Sequence, residues 1–222
     1  MLGTAANGSG AQPAGGHGAG SNLSAVFWQR LKRRASGEPD AGDREAGTSR
    51  EQQLREAGDD NRPVLAVDVD GVISLFGFDE PLTEAPGEVH LIDGVAHCIS
   101  RPAGERLKRL ADHYDLIWAT GWDERANEHL PLLLGLPGEL PYLSFGGNAR
   151  FGTAHWKLDA IEAYAGDRPL AWIDDSLDDS CRQWARQRPA PTLLVETDSS
   201  RGLEEAHVDA LLAWIRDGYK PV

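Results

Sequence analysis

Two carboxylates, Asp68 and Asp70, stand at the end of the apolar segment 64–69. Side chains alternate along a strand, so both carboxylates point to the same side, and open α/β sheets bind ligands at the carboxyl ends of their strands. Two carboxylates this close repel each other unless a cation or a shared proton relieves the repulsion. Because Mg²⁺ prefers oxygen ligands, the pair predicts a magnesium site.

A second acidic pair, Asp174 and Asp175, follows another apolar segment, 170–173. Two buried strands that both end in carboxylates would bring them together across one crevice. Aspartate is also common at the N-terminus of a helix, which is an alternative explanation for this pair and for the nearby Asp178 and Asp179. Helix capping does not account for the first pair, so we expect part of the second pair to face it.

Two further polar residues, Thr120 and Lys157, complete a set of candidate site residues with these aspartates. Thr120 ends the apolar segment 116–120, where its hydroxyl could donate to an anionic oxygen, and Lys157 near a predicted helix start offers a compact positive charge. Taken singly, a strand-end threonine more often caps a turn and such a lysine is more often solvated. The order along the chain, Asp-x-Asp, Thr, Lys and Asp-Asp, is what points to a shared site.

This ordered set resembles the haloacid dehalogenase-like (HAD) superfamily of phosphohydrolases. The family's four motifs match Asp68-Val69-Asp70-Gly71-Val72, Thr120, Lys157 and Asp174-Asp175. The resemblance covers roughly residues 63–215, and its first and fourth motifs are the specific ones. Val72 stands where threonine is commoner, which is within the range of the family.

The resemblance implies a phosphatase that acts through an aspartyl-phosphate. Asp68 would be the nucleophile, and Asp70 would protonate the leaving oxygen and then activate water. Thr120 and Lys157 would hold the phosphoryl oxygens. Family members with dehalogenase, phosphonatase or ATPase activity replace the second aspartate of the first motif, so Asp70 favours phosphatase or phosphotransfer chemistry.

The resemblance also implies Mg²⁺ as the cofactor. Its ligands would be Asp68, Asp174 and the backbone carbonyl of Asp70, with Asp175 acting behind them or through water. Asp178 is a less favoured candidate for this supporting role. Receiver domains of two-component signalling use similar residues around Mg²⁺, but their acidic pair comes first and their lysine last, so the order found here argues against them.

The surrounding pattern predicts an α/β fold in which strands and helices alternate. Strands are predicted at 64–69, 116–120, 170–173, 192–195 and, more weakly, 141–145. Helices are predicted at 102–113, 124–134, 155–165 and 177–188, and a last helix carries the apolar stripe His207, Ala210, Leu211, Trp214 and Ile215. With the resemblance, this pattern indicates a three-layer, Rossmann-like and HAD-like parallel sheet covered by helices on both faces.

A β-hairpin interrupts the alternation after the first strand. Asp93-Gly94 separates the apolar runs 88–92 and 95–99, which is a strong hairpin signal. The 49 residues between Asp70 and Thr120 and the 36 between Thr120 and Lys157 leave no room for a large cap domain. In the family an open site goes with macromolecular or bulky substrates, although nucleotide and sugar phosphatases with short caps exist.

The phosphorylated substrate is of unknown class. Gly121 and Trp122 directly follow Thr120, so we expect them to contact the substrate. Trp122, with Phe76 and Phe78, could stack on a nucleobase, which makes a nucleotidase or a nucleic-acid-end phosphatase the alternative function; packing within loops is the other reading of these aromatic residues. A catalytically silent HAD-like binding module is the alternative from a different class.

Charge divides the 222 residues into two parts. Residues 1–62 hold 8 Lys/Arg and 8 Asp/Glu, whereas residues 63–222 hold 14 and 27, which accounts for the whole net charge of −13. The first part is rich in Gly, Ala and charged residues, and we expect it to be a disordered tail. The second part would be the HAD-like hydrolase domain, and because it is acidic we expect no non-specific binding to nucleic acid.

Three remaining features bear on location. Segment 22–34 runs from apolar into basic residues and could dock on a membrane surface or a partner, or form only a transient helix. Cys98 and Cys181 lie 83 residues apart and suggest buried thiols in a reducing compartment. No run of residues is long and apolar enough to span a membrane, and we expect a cytoplasmic protein.

Overall fold

The computed structural model describes residues 62–145, 150 and 152–220. Its strands are β1 (Val64–Val67), β2 (Ser74–Leu75), β3 (Glu88–Ile92), β4 (Val95–Ile99), β5 (Asp115–Trp118), β6 (Leu170–Asp174) and β7 (Thr192–Glu196). Its α-helices are α1 (Arg101–Ala111), α2 (Arg125–Leu134), α3 (Leu158–Ala165), α4 (Asp179–Gln187) and α5 (Glu205–Arg216). Short 3₁₀ turns lie at Leu82–Glu84 and His155–Lys157.

Four of these strands form a parallel sheet in the order β5-β1-β6-β7. Val67 of β1 pairs with Trp118 on one side and Ile173 on the other, so the carboxyl ends of the three strands lie level at one edge. This register confirms the predicted α/β architecture and places the residues after each strand side by side.

Alternation along β1 explains why helices cover both faces of this sheet. Leu65 and Val67 belong to a core that includes residues of α1, α2 and α5, whereas Val64 and Ala66 belong to a second core with residues of α3 and α4. A strand buried on both faces needs apolar residues at every position, as its sequence has. The three-layer prediction is therefore confirmed.

One predicted strand, at 141–145, is wrong. The segment touches the sheet through a single bridge between Tyr142 and Trp118. Beyond this bridge, the backbone N–H of Phe145 donates to the Asp123 carboxylate at 3.0 Å and so takes no part in sheet pairing.

The hairpin forms where it was predicted. Strands β3 and β4 pair from Glu88 with Ile99 to Ile92 with Val95, and β2 extends them into a separate antiparallel sheet. Asp93 and Gly94 both have positive φ, 51° and 77°, as a two-residue hairpin turn requires. The part of the chain that the structure describes contains no large cap domain, as predicted.

The predicted tail, residues 1–62, lies outside the described residues except for Arg62, and so does segment 22–34. The guanidinium of Arg62 donates to the carbonyl of Ala111 at 2.7 Å. Cys98 and Cys181 are buried free thiols. None of the described helices combines the length and the apolar character needed to cross a membrane.

Gly104 offers a test of how α1 and α2 pack. A Cβ at this position would lie 2.5 Å from the carbonyl oxygen of Leu134. Alanine favours a helix by about 1 kcal/mol over glycine, but overpacking costs about 1–3 kcal/mol. We therefore expect Gly104→Ala to lower the free energy of unfolding by about 1 kcal/mol in urea denaturation. Gly138→Ala is the control, because a Cβ at position 138 would have no atom within 4 Å. A Gly104→Ala protein as stable as the wild type would contradict the close packing of α1 on α2.

Candidate active site

Backbone pairing brings the predicted site residues to one edge of the parallel sheet. The N–H of Asp68 donates to the carbonyl of Ile173 at 3.0 Å, so Asp68 lies beside Asp174, the last residue of β6. On the other side, the N–H of Ala119 donates to the carbonyl of Val67 at 2.8 Å, which places Thr120 at the same edge. Asp68, Thr120 and Asp174 therefore meet because the three strands end together.

Lys157 forms the central contact of the site. Its ammonium lies 2.8 Å from Asp68 Oδ2 and 2.7 Å from Asp174 Oδ2, and the residue is only 3 % exposed. Burial lowers the pKa of Lys157, but the two carboxylates together outweigh it and hold that pKa above its usual value. The side chain is therefore a charged ammonium shared by two buried carboxylates.

The segment before Lys157 is tied to the segment after β6. The N–H of Ala154 donates to the carbonyl of Ser176 at 3.1 Å, and the N–H of Lys157 donates to the carbonyl of Ala154 at 3.0 Å. The N–H of Ser176 in turn donates to Asp174 Oδ1 at 2.9 Å. These bonds hold the lysine and the carboxylate in a fixed relative position.

Three carboxylates make up a candidate metal centre. Oxygen atoms of Asp68, Asp174 and Asp175 all lie within 4.8 Å of one another. Asp175 can approach the end of β1 because Gly71 has no side chain: a Cβ there would lie 2.3 Å from the carboxyl carbon of Asp175, and φ at Gly71 is +77°. A larger residue at 71 would displace Asp175 from this position.

The electrostatics of these carboxylates fit a divalent cation. Burial, and then Asp174, raise the pKa of Asp175 to about 6. Burial also raises the pKa of Asp68, although Lys157 opposes it. Three acidic groups lie near one ammonium, which contacts two of them, and an oxygen-ligated ion such as Mg²⁺ would neutralise the excess of negative charge. The side-chain oxygens of Asp70 are not among this set.

Asp70 lies with the residues that follow β5. Its Oδ2 accepts a hydrogen bond from Trp122 Nε1 at 3.0 Å. Burial raises the pKa of Asp70, and His97 and then the hydrogen bond from Trp122 oppose this rise. Thr120 is buried, and its hydroxyl oxygen accepts from the N–H of Trp122 at 3.3 Å, while Gly121 between them is exposed.

Trp122 is placed differently from what base stacking would require. It is 8 % exposed, and its ring packs edge-on against His97 with centroids 4.7 Å apart. The indole therefore offers no open face to a flat substrate in this arrangement. It contacts the carboxyl of Asp70 instead.

Asp178 caps a helix. Its Oδ1 accepts from the N–H of Cys181 at 3.0 Å, at the start of α4, and its Oδ2 contacts Thr153 and His155. These bonds hold the pKa of Asp178 below its usual range. Asp178 is thus engaged at the helix start and does not belong to the carboxylate group of Asp175.

Sequence reasoning missed two buried residues of the site. Thr197, just after β7, donates through its hydroxyl to the carbonyl of Gly71 at 2.9 Å, and its N–H donates to the carbonyl of Asp174 at 3.2 Å. Its position after the fourth parallel strand was a usable signal. His97 lies within the hairpin, and nothing in its neighbours Ala96 and Cys98 marked it.

A parallel sheet with the ordered acidic and basic residues at its carboxyl edge defines a haloacid dehalogenase-like domain of the phosphohydrolase type, as the resemblance implied. The family described as the HAD domain in Swiss Army Knife RNA repair proteins matches residues 64–208. The match spans more than half of the chain, so the chain belongs to this family. None of the curated proteins compared with the chain matches it significantly.

The assignment of Asp175 and Asp178 can be tested by metal binding. Asp175→Asn and Asp178→Asn each remove one negative charge, and asparagine is as good a helix N-cap as aspartate. We expect Asp175→Asn to weaken Mg²⁺ binding about tenfold or more and Asp178→Asn to leave it unchanged, as measured by isothermal titration calorimetry. Equal weakening by both variants would mean that general acidity, not this site, attracts the ion.

Proposed function

We propose that this protein is a Mg²⁺-dependent phosphomonoesterase that acts through an aspartyl-phosphate on Asp68. One observation carries the proposal: a single buried ammonium, that of Lys157, bridges Asp68 and Asp174 at the carboxyl edge of the sheet. An ammonium in this position can neutralise the nucleophile and the incoming phosphoryl group at once.

In the first step, a carboxylate oxygen of Asp68 forms a bond to phosphorus. The bond between phosphorus and the ester oxygen breaks, and its electron pair stays on that oxygen. Asp70 gives its proton to the leaving oxygen, so an alcohol departs. The raised pKa of Asp70 favours the protonated form that this step needs.

In the second step, Asp70 takes a proton from water, and the resulting hydroxide oxygen bonds to phosphorus. The bond between phosphorus and Asp68 breaks and restores the carboxylate, which releases inorganic phosphate. Thr120 and Lys157 would hold the phosphoryl oxygens during both steps.

Asp68, Asp174 and Asp175 are the side chains that would hold Mg²⁺, together with the backbone carbonyl of Asp70. When bound, Mg²⁺ would offset the charge of the phosphoryl group against the carboxylates. The close group of carboxylate oxygens supports this assignment.

The test is release of inorganic phosphate from p-nitrophenyl phosphate with and without Mg²⁺. We expect Mg²⁺-dependent release by the full chain and a loss of about 10³-fold or more in Asp68→Asn, because the nucleophile is gone. Asp178→Asn is the matched control, since it makes the same change of charge outside the site. Unchanged release by Asp68→Asn would overturn the proposal, and any Mg²⁺-dependent turnover excludes the silent binding module.

A nucleic-acid-end phosphatase is the second candidate. The description of the matched family, which names RNA repair, favours it, and so does the lack of a large cap in the described residues. Base stacking on Trp122 no longer supports it, because that ring is buried. The same assay can compare 3′- and 5′-phosphorylated oligoribonucleotides with mononucleotides and sugar phosphates. Faster phosphate release from the oligoribonucleotides would support this candidate, and equal rates would count against it.

A further inference from the structure

The carboxyl of Asp70 lies beside Trp122, which follows β5, and beside Ser74 and His97 of the antiparallel sheet. Its Oδ2 accepts from the indole N–H of Trp122 at 3.0 Å, whereas its Oδ1 is buried and accepts no hydrogen bond of acceptable geometry within the described residues. An indole N–H is a donor only, so it stabilises an acceptor oxygen at a fixed place. The bond from Trp122 therefore sets where Oδ2 lies.

Trp122 is itself held by the hairpin. Its ring packs edge-on against the imidazole of His97 in β4, with centroids 4.7 Å apart and an angle of 67° between the rings. His97 is 5 % exposed, and its Nδ1 lies 3.0 Å from the Ser74 hydroxyl oxygen, within hydrogen-bond distance. The imidazole is therefore held by ring packing and by a polar contact at Nδ1.

Ser74 connects this group back to the first motif. Its carbonyl accepts from the N–H of Gly71 at 2.8 Å, and it forms an isolated bridge with Asp70. Ser74 also pairs with Ile99 across β2 and β4. The backbone of the Asp70 segment and the side chain of His97 are thus attached to the same residue.

We propose that Trp122 and His97 are positioning residues that hold the carboxyl of Asp70 in the orientation its proton transfers require. Trp122 acts directly, through its N–H, and His97 acts through Trp122 and Ser74. The β3–β4 hairpin thereby helps to set the geometry of the reaction and is more than a cover over the sheet edge. This inference rests on the proposed function, in which Asp70 protonates the leaving oxygen.

A general acid matters most when the leaving group is poor, and a misplaced one loses its effect. Phenyl phosphate and p-nitrophenyl phosphate have similar shapes, but nitrophenolate departs with little help from a proton. We expect Trp122→Phe, which keeps a ring and removes the donor, to lose about tenfold more kcat/KM on phenyl phosphate than on p-nitrophenyl phosphate. We expect His97→Phe, which keeps the edge contact and removes the bond to Ser74, to show a smaller loss of the same kind.

Trp214→Phe and His113→Gln are the controls, because Trp214 is a core residue packed on Tyr219 and His113 is exposed. Equal losses on both substrates would show that Trp122 and His97 are only structural, and would overturn the inference while leaving the proposed function in place. A selective loss in Trp122→Phe alone would remove His97 from the inference. A wild-type protein that hydrolyses neither substrate would overturn the proposed function and the inference with it.

A spectroscopic measurement tests the same contact without turnover. In a ¹⁵N-labelled protein, the indole signal that disappears in Trp122→Phe belongs to Trp122. We expect Asp70→Asn to shift this signal, because its hydrogen-bond partner changes, and to leave the Trp214 indole signal in place. An unshifted Trp122 signal would contradict the hydrogen bond to Asp70.

Discussion

The site depends on the buried ammonium of Lys157. Without it, Asp68 and Asp174 would be two carboxylates in a dry environment at neighbouring strand ends, and removing one partner of such a buried group costs about 3–5 kcal/mol. Three features bring the ammonium and the carboxylates together: the 3₁₀ turn that carries Lys157, the bond from Ala154 to Ser176, and the pairing of β1 with β6, which places Asp68 beside Asp174. One ammonium does not cancel the charge of Asp68, Asp174 and Asp175, so the proposed phosphate site needs bound Mg²⁺ as well as Lys157.

The same edge of the sheet separates two tasks among its carboxylates. Asp68, Asp174 and Asp175 gather into a group suited to a cation, and Gly71 makes the approach of Asp175 possible. Asp70, two residues after Asp68, instead contacts Trp122 from the neighbouring strand end. Groups of one chemical type thus receive different environments, and the proposed function assigns them different roles, metal ligands on one side and a proton donor on the other.

The sequence predicted the parts of the site that follow from local pattern. Asp68, Thr120 and Asp174 were found because each ends an apolar segment, and the hairpin was found from Asp93-Gly94. The edge contact of His97 and Trp122 could not be predicted, since it depends on how an antiparallel sheet lies over a parallel one. The contacts of the segment 141–145 could not be predicted either: it has one bridge, at Tyr142, and the N–H of Phe145 donates to Asp123, 22 residues earlier in the chain.

The central claim is that the phosphoryl group passes through Asp68, and acid quenching tests it most directly. In Asp70→Asn, the second step lacks its base, whereas nitrophenolate can still leave in the first step. After brief reaction of this variant with p-nitrophenyl phosphate and Mg²⁺, acid quenching and peptide mass spectrometry are predicted to find a phosphoryl group on Asp68. A phosphoryl group found on another residue would contradict the account. So would a protein that still releases nitrophenolate but carries no phosphoryl group.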